Sequence, residues 1–304
     1  MGPVRFRVSE AESGRRLDKV LVEREPSLSR RLASELFATS RVWVDGRPGR
    51  KGELARAGSE VTFELPSPRF ARPDPEAPLT VLLERLDLVV LNKPAGQPTA
   101  PLDAAECGSV ANALAARYPE TRAIGYDPLE PGLLHRLDTG TSGLLVAART
   151  QTAFEVLQRA LREGRLHKRY LAIVAAAGLA DAGTIAKPIA PHPRSARRVV
   201  VCEDASVPGA RPAETHWRVV ERTGTWALVQ IEVSRAVRHQ IRVHFAALGH
   251  PLAGDAVYDG PRCRGLHAGH ALHASYVAWA GDRAVPAFEV EAALPDGMGV
   301  LMRG

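Results

Sequence analysis

Residues 134–146 read Leu134-His135-Arg136-Leu137-Asp138-Thr139-Gly140-Thr141-Ser142-Gly143-Leu144-Leu145-Val146. One acid stands two residues after an arginine, just before a run of turn-forming residues that leads into an apolar strand. Thr, Gly and Ser at 139–143 can put the carboxylate on a sharp, exposed loop above a buried strand. Arg136 and nearby backbone donors would favour its charged form. A positioned, ionised carboxylate serves as nucleophile or general base. The same acid can equally be a structural turn cap, and these thirteen residues leave both readings open.

On either side, β-branched runs at Leu88–Leu91, Tyr170–Ala175, Arg197–Val201 and Ala227–Val233 read as strands. Ser109–Arg117, Thr152–Arg162 (closed by Gly164) and Arg238–Leu248 (closed by Gly249) read as helices. There is no regular βαβ repeat. The expected fold is α+β, with a mixed, mainly antiparallel sheet flanked by helices and loops.

Residues 1–66 form a smaller α/β unit. Leu17, Val20 and Leu21 have helical spacing in a helix that starts near Gly14 and stops at Pro26. Ser29 is placed to cap a second helix carrying Leu32, Leu36 and Phe37. Val42–Val44, the turn Asp45-Gly46 and Glu60–Glu64 follow as strand, turn and strand. Arg15, Arg16, Lys19, Arg30, Arg31 and Arg41 lie on or beside the two helices, as an electrostatic footprint for RNA or as a solvated charged face. Five prolines fall between 66 and 78, so 67–78 is expected to be a linker and 79–304 the larger domain.

The composition narrows the function classes. Lys+Arg 40 against Asp+Glu 34 gives a formal charge of +6, which suits a polyanionic partner. Cys107, Cys202 and Cys263 make no CxxC pair and no disulfide framework, as in a reducing compartment. No apolar run has the length of a membrane span or a signal core, so no membrane is expected and the expected location is the cytoplasm. Neither GxxxxGK[ST] nor GxGxxG occurs, which removes support for nucleotide hydrolysis and dinucleotide chemistry. Cys263, His267, His270 and His273 form a string that invites zinc. Trp43 and Trp217 read as packing residues.

HRLDTGTSGLLV resembles the signature of the RluA-type pseudouridine synthases, and further blocks match in order. They are Asn92-Lys93-Pro94-Ala95-Gly96, Lys168-Arg169-Tyr170, Ala213-Glu214-Thr215, His239-Gln240-Ile241-Arg242-Val243-His244, Gly249–Asp255, Leu272-His273-Ala274 and Leu294-Pro295. Residues 1–66 resemble the alpha-L (S-four-like) RNA-binding module through RRLDKVL, SRRLASELF and VWVDGR.

The resemblance implies isomerisation of uridine to pseudouridine in RNA, with ribosomal RNA of the large subunit first among substrates and tRNA second. It implies no cofactor and no metal. Asp138 matches the family's catalytic Asp, which attacks the ribose or removes a ribose proton. Tyr170 matches the Tyr that stacks on the extruded base, and Arg242 the Arg that faces the carboxylate, unless that pair is only a buried structural one. Arg136, His135, Lys168, Thr141, His239 and Gln240 are carried over as substrate-binding residues, with His135 read as a local hydrogen-bonding residue and not a general base. Extruding a base costs a few kcal/mol, and an aromatic platform recovers part of that.

Two departures stand out. Ala236-Val237-Arg238 replaces the family's Gly-Arg-Thr, moving a cation one position along the expected helix, and Ala100-Pro101 replaces a His-Pro pair. They leave room for a rival, a catalytically weak or inactive paralogue that binds RNA or assists ribosome assembly. A glycosidase using the same carboxylate would instead release free uracil. Nothing in the sequence demands more than a monomer.

Overall fold

The computed structural model describes residues 3–25, 28, 30–64, 70–233, 236–263, 266 and 269–303, without the Arg31 side chain. The chain divides into two compact units, Met1–Pro68 and Arg69–Gly304.

In the first unit, β1 (Val4–Arg7), α1 (Leu17–Arg24), α2 (Arg30–Ala38), β2 (Val42–Val44), β3 (Arg47–Pro48) and β4 (Glu60–Phe63) follow in order. Among the described residues the strands form one sheet, β1-β4-β2-β3. Leu17, Val20 and Leu21 of α1 and Ala33, Leu36 and Phe37 of α2 pack with Val42, Val44, Val61 and Phe63. The expected helix at Gly14 begins three residues later. Gly14 is left-handed (φ 78) and gives its N–H to Ala55, so the chain turns before it can coil. Asp45 and Gly46 both have positive φ, as the two-residue hairpin turn requires. Pro26 and Ser29, read above as helix stop and cap, lie outside the described residues.

The second unit contains β5 (Thr80–Glu84), β6 (Leu88–Lys93), α3 (Val110–Arg117), β7 (Ser142–Ala148), α4 (Gln151–Arg162), β8 (Leu166–Ala175), β9 (Ala182–Ala186), β10 (Ile189–Pro191), β11 (Val199–Val201), β12 (Glu214–Thr223), β13 (Trp226–Glu232), α5 (Gln240–Ala247), β14 (Leu272–Trp279), β15 (Phe288–Glu291) and α6 (Asp296–Arg303). The main sheet runs β5-β6-β7-β14-β8-β13-β12-β9, with β15 on β14. Its pairs are antiparallel except β14 with β7, which are parallel at His273–Ser142 and Ala274–Gly143. The fold is the expected α+β arrangement with a mixed, mainly antiparallel sheet.

The strand that follows the Asp138 loop, β7, is buried at every residue. Its alternate side chains feed two cores. Leu145 and Ala147 pack with Leu114 of α3 and Phe245 of α5. Leu144, Val146 and Ala148 pack with Ala153, Phe154, Leu157 and Ala160 of α4. That helix starts where Thr150 accepts the Ala153 N–H, and its buried positions recur at helical spacing.

The proline-rich stretch departs from expectation. Residues 67–69 lie outside the described residues, but 70–78 are no free tether. Ala71 donates to Pro128 O, Asn112 donates to Arg72 O, and Asp74 accepts from Gly108 N–H. Proline removes backbone donors and hence regular structure, yet carbonyls and small side chains can still dock. Trp217 packs edge-on against Phe245, and a Cβ at Gly183 would stand 2.4 Å from its ring.

Candidate active site

Residues 134–141 form the loop entering β7, and it is pinned along its length. Leu134 N–H bonds Val146 O and its carbonyl accepts from Gln158 of α4. Thr99 Oγ1 gives a hydrogen bond to Leu137 O (2.7 Å) and receives one from Leu137 N–H (3.2 Å). Thr139 O accepts from Gly96 N–H and from the Lys93 ammonium. Thr141 N–H closes a turn on Asp138 O. The carboxylate of Asp138 therefore projects from backbone that has little freedom.

Gly143 makes the parallel pairing possible. It has φ 110, and a Cβ there would lie 2.3 Å from Ala274 O. No L side chain meets both conditions.

From α5, Arg242 reaches the loop. Its Nη1 donates to Asp138 Oδ2 at 2.7 Å, while Nε and Nη2 donate to the two oxygens of Asp255 at 2.7 and 2.8 Å. Burial pushes the Asp255 carboxyl upward, but the Arg242 hydrogen bonds and charge outweigh it and hold the group below the usual carboxylate range. His239, just before α5, is left-handed (φ 55), an uncommon conformation for a residue with a side chain. Its Nε2 stands 3.8 Å from Asp138 Oδ2, and its Nδ1 is 2.9 Å from the Tyr258 hydroxyl. Burial lowers its pKa, favouring the neutral imidazole.

Asp138, Tyr170, Arg242, Arg136, His239, Gln240, Thr141 and apolar Leu137, Val233, Ile241 and Leu272 line one open cleft. Tyr170, on β8, is raised to about 12 by burial and by the charge of Asp138, so it stays a phenol.

The remaining sequence-nominated residues fall differently. Arg136 lines the cleft but pairs with Glu130 (2.8 Å), so Asp138 takes its guanidinium from Arg242 instead. Gln240 accepts from Val237 N–H and donates to Glu214 O and Thr215 Oγ1. With its amide so engaged it shapes the loop before α5 and has no N–H left for a substrate. Thr141 is buried, with Oγ1 2.8 Å from His270 Nε2. His135 has Nε2 sealed and without a partner among the described residues, and burial together with the neighbouring Lys168 charge lowers its pKa to about 3. Lys168 is 8% exposed, has no hydrogen bond or ion pair among the described residues, and is pushed down to about 8 by burial.

In the zinc-like string, His267 lies outside the described residues. His270 meets Thr141, and His273 Nδ1 lies 2.9 Å from Ser142 Oγ, so both brace the catalytic-type loop. Cys263 Sγ turns to Pro261 O. Arg238 precedes α5 and donates to Ala196 O, correcting its expected helical placement. Ala100 is buried in the core.

Of the N-terminal cations, Arg15 pairs with Glu23 and Arg16 with Asp18. Lys19, Arg30 and Arg41 form no ion pair among the described residues, and the Arg31 side chain lies outside them. Sequence reasoning gave no role to Lys93, Thr99, Asp255 or Tyr258. Lys93 is 2% exposed, donates to Pro94, Gln97 and Thr139 carbonyls, and is pushed down to about 8 by burial. The blocks around 92–96 and 249–255 were visible, but the contacts join segments far apart in the chain.

The arrangement matches a known set of proteins. Residues 87–247 fit the family profile of the RNA pseudouridylate synthases. A protein of Chloroflexus aurantiacus described as an uncharacterized RNA pseudouridine synthase is 37% identical across 97% of this chain and 92% of its own. The chain belongs to this family. As a pseudouridine synthase it is an isomerase, and 36% identity relates it to ribosomal large subunit pseudouridine synthase D of Xanthomonas campestris pv. campestris, over 83% of this chain and 74% of that one. Human RNA pseudouridylate synthase domain containing 1 shares the fold, with TM-score 0.57, 24% identity and coverage of 73% of this synthase and 86% of that chain. Among the described residues of the synthase no helix is long and apolar enough to cross a membrane.

Proposed function

We propose that the enzyme isomerises particular uridines of structured RNA, large-subunit ribosomal RNA before tRNA, with Asp138 as the catalytic carboxylate. The observation that carries this is the Arg242–Asp138 contact at 2.7 Å in a cleft that also holds Tyr170. Relatives named for the ribosomal large subunit support the choice of RNA. The contact occupies Oδ2 and leaves Oδ1 without a partner among the described residues, so Oδ1 is the oxygen for the ribose.

The chemistry conserves atoms. The ribose C1′–N1 bond breaks, the uracil turns, and C1′ bonds to C5. The C5 proton leaves and N1 gains one, with no oxidant or group donor. Tyr170, protonated at neutral pH, serves as stacking platform and hydroxyl donor for the extruded base. Met1–Pro68 acts as an alpha-L-type RNA-binding unit, through cations that contact phosphates.

Large-subunit ribosomal RNA and tRNA transcribed with tritium at uracil C5 test this. Wild-type enzyme is expected to release tritium to water and leave the base attached, and Asp138→Ala to lose at least about 100-fold in rate. RNA binding with no tritium release by wild type on either RNA would establish the binder instead, and free uracil a glycosidase.

A further inference from the structure

Asp255 and Tyr258 lie on one short loop, residues 252–260, and neither is assigned a part in the reaction. Their side chains meet the two groups that face Asp138. Asp255 is 1% exposed, more deeply buried than any acid in the cleft, and its two oxygens engage the Nε–Nη2 edge of Arg242. Oδ1 is further held by Val257 N–H. A guanidinium is planar, so fixing that edge leaves Nη1 one direction, toward Asp138. A lone Arg–Asp138 contact would let the guanidinium swing.

Tyr258 is also buried. Its hydroxyl accepts the Val199 N–H at 3.0 Å and lies 2.9 Å from His239 Nδ1. A hydroxyl that accepts from an amide keeps its own proton to donate. Donation to Nδ1 puts the imidazole proton on Nε2, the nitrogen facing Asp138.

The loop is built to hold these positions. Asp255 N–H bonds Leu252 O, and Gly260 N–H bonds Asp255 O. A Cβ on Gly260 would stand 2.0 Å from Leu252 O, and Gly254 has φ 78. His239 itself sits in a left-handed conformation, the kind of local strain that surrounding contacts must maintain.

We propose that Asp255 and Tyr258 are positioning residues for the carboxylate: Asp255 aims Arg242 at Asp138 Oδ2, and Tyr258 fixes the His239 tautomer with its Nε2 proton toward the same oxygen. This rests on the assignment of Asp138 above. Neither side chain lines the cleft. Their removal therefore lowers the rate of the chemical step and leaves RNA affinity alone.

The test combines kinetics with nitrogen NMR of the full chain. In single-turnover tritium release from large-subunit ribosomal RNA, Asp255→Asn is expected to lower kcat roughly 100-fold, as for a misplaced catalytic group, with KM little changed. In an Arg242→Lys background, which has no planar fork, Asp255→Asn adds little further loss. A full, additive loss there would show that Asp255 braces the fold and would overturn its role. Arg242 is expected to show separate, slowly rotating Nη signals in wild type that merge in Asp255→Asn, and unchanged signals overturn the proposal. Tyr258→Phe keeps the ring and removes the hydroxyl, and the His239 nitrogen shifts should move from the Nε2-protonated form to a mixture. An Nδ1-protonated ring in wild type overturns that half. The NMR results are read whether or not RNA is turned over: a synthase inactive on both RNAs refutes the functional proposal, and the Arg242 and His239 signals still uphold or overturn this one.

Discussion

At the scale of single residues, the most unusual group is Lys168. An ammonium on a largely buried side chain, with no acceptor among the described residues, is held at a cost, and burial pushes its pKa down to about 8 from the usual 10.5. Below about 8 both folded and unfolded chains carry the charge, and the full penalty applies. Between 8 and 10.5 the folded chain has lost its proton and the unfolded chain has not, so stability rises with pH until the penalty is gone. Lys168→Met should therefore stabilise the protein by about 1–3 kcal/mol at pH 7, an advantage that disappears by pH 10.5. Urea denaturation of both proteins across that range checks it, since Lys93 is pushed down by burial in each. Lys168 is also nominated for the site, so activity should fall while stability rises, the trade expected where function maintains an unfavourable group. Tyr170→Phe separates stacking from the hydroxyl. KM should be little changed and kcat reduced, as measured by tritium release.

Among the elements, β7 and its parallel neighbour β14 matter most for the site, because the catalytic-type loop enters β7 and His270 and His273 brace it. The pairing depends on Gly143. Gly143→Ala combines a left-handed φ with a Cβ 2.3 Å from Ala274 O, and is expected to cost at least about 2 kcal/mol. Urea denaturation should show the loss, accompanied by reduced tritium release because Asp138 moves with the loop. Among the described residues most helices, but fewer than half of the strands, were legible beforehand. The helical spacing of Thr152–Arg162 and the closing Gly164 marked α4, and the β-branched runs marked β6, β8 and β13. The loop before α5 was not legible. A helix was expected from Arg238, but His239 turns left-handed and Gln240 begins the helix, because Tyr258 and Val237 hold that corner from outside the helix.

For the whole molecule, the positive charge predicts salt-sensitive RNA binding. Lys19, Arg30 and Arg41 have no carboxylate partner among the described residues, whereas Arg15 and Arg16 do. Replacing the first three with Ala should reduce the slope of log affinity against log salt by up to about 0.9 for each phosphate that is no longer neutralised. Replacing Arg15 and Arg16 should reduce it less, and filter binding over a salt series distinguishes the two sets.

Residue types and periodicity indicated in advance an α+β body with a smaller basic unit and singled out the acid of 134–146, whereas 239–244 came forward through the resemblance to the synthase family. The former are local properties, set by turn propensity and by the apolar alternation of strands and helices. Only the tertiary structure decided which cation serves Asp138. Arg136 is two residues away and turns to Glu130, while Arg242, 104 residues on, is delivered by the packing of α5 and steadied by Asp255. An ion pair across that span is chosen by which buried surfaces fit together, and spacing along a chain carries no record of that fit.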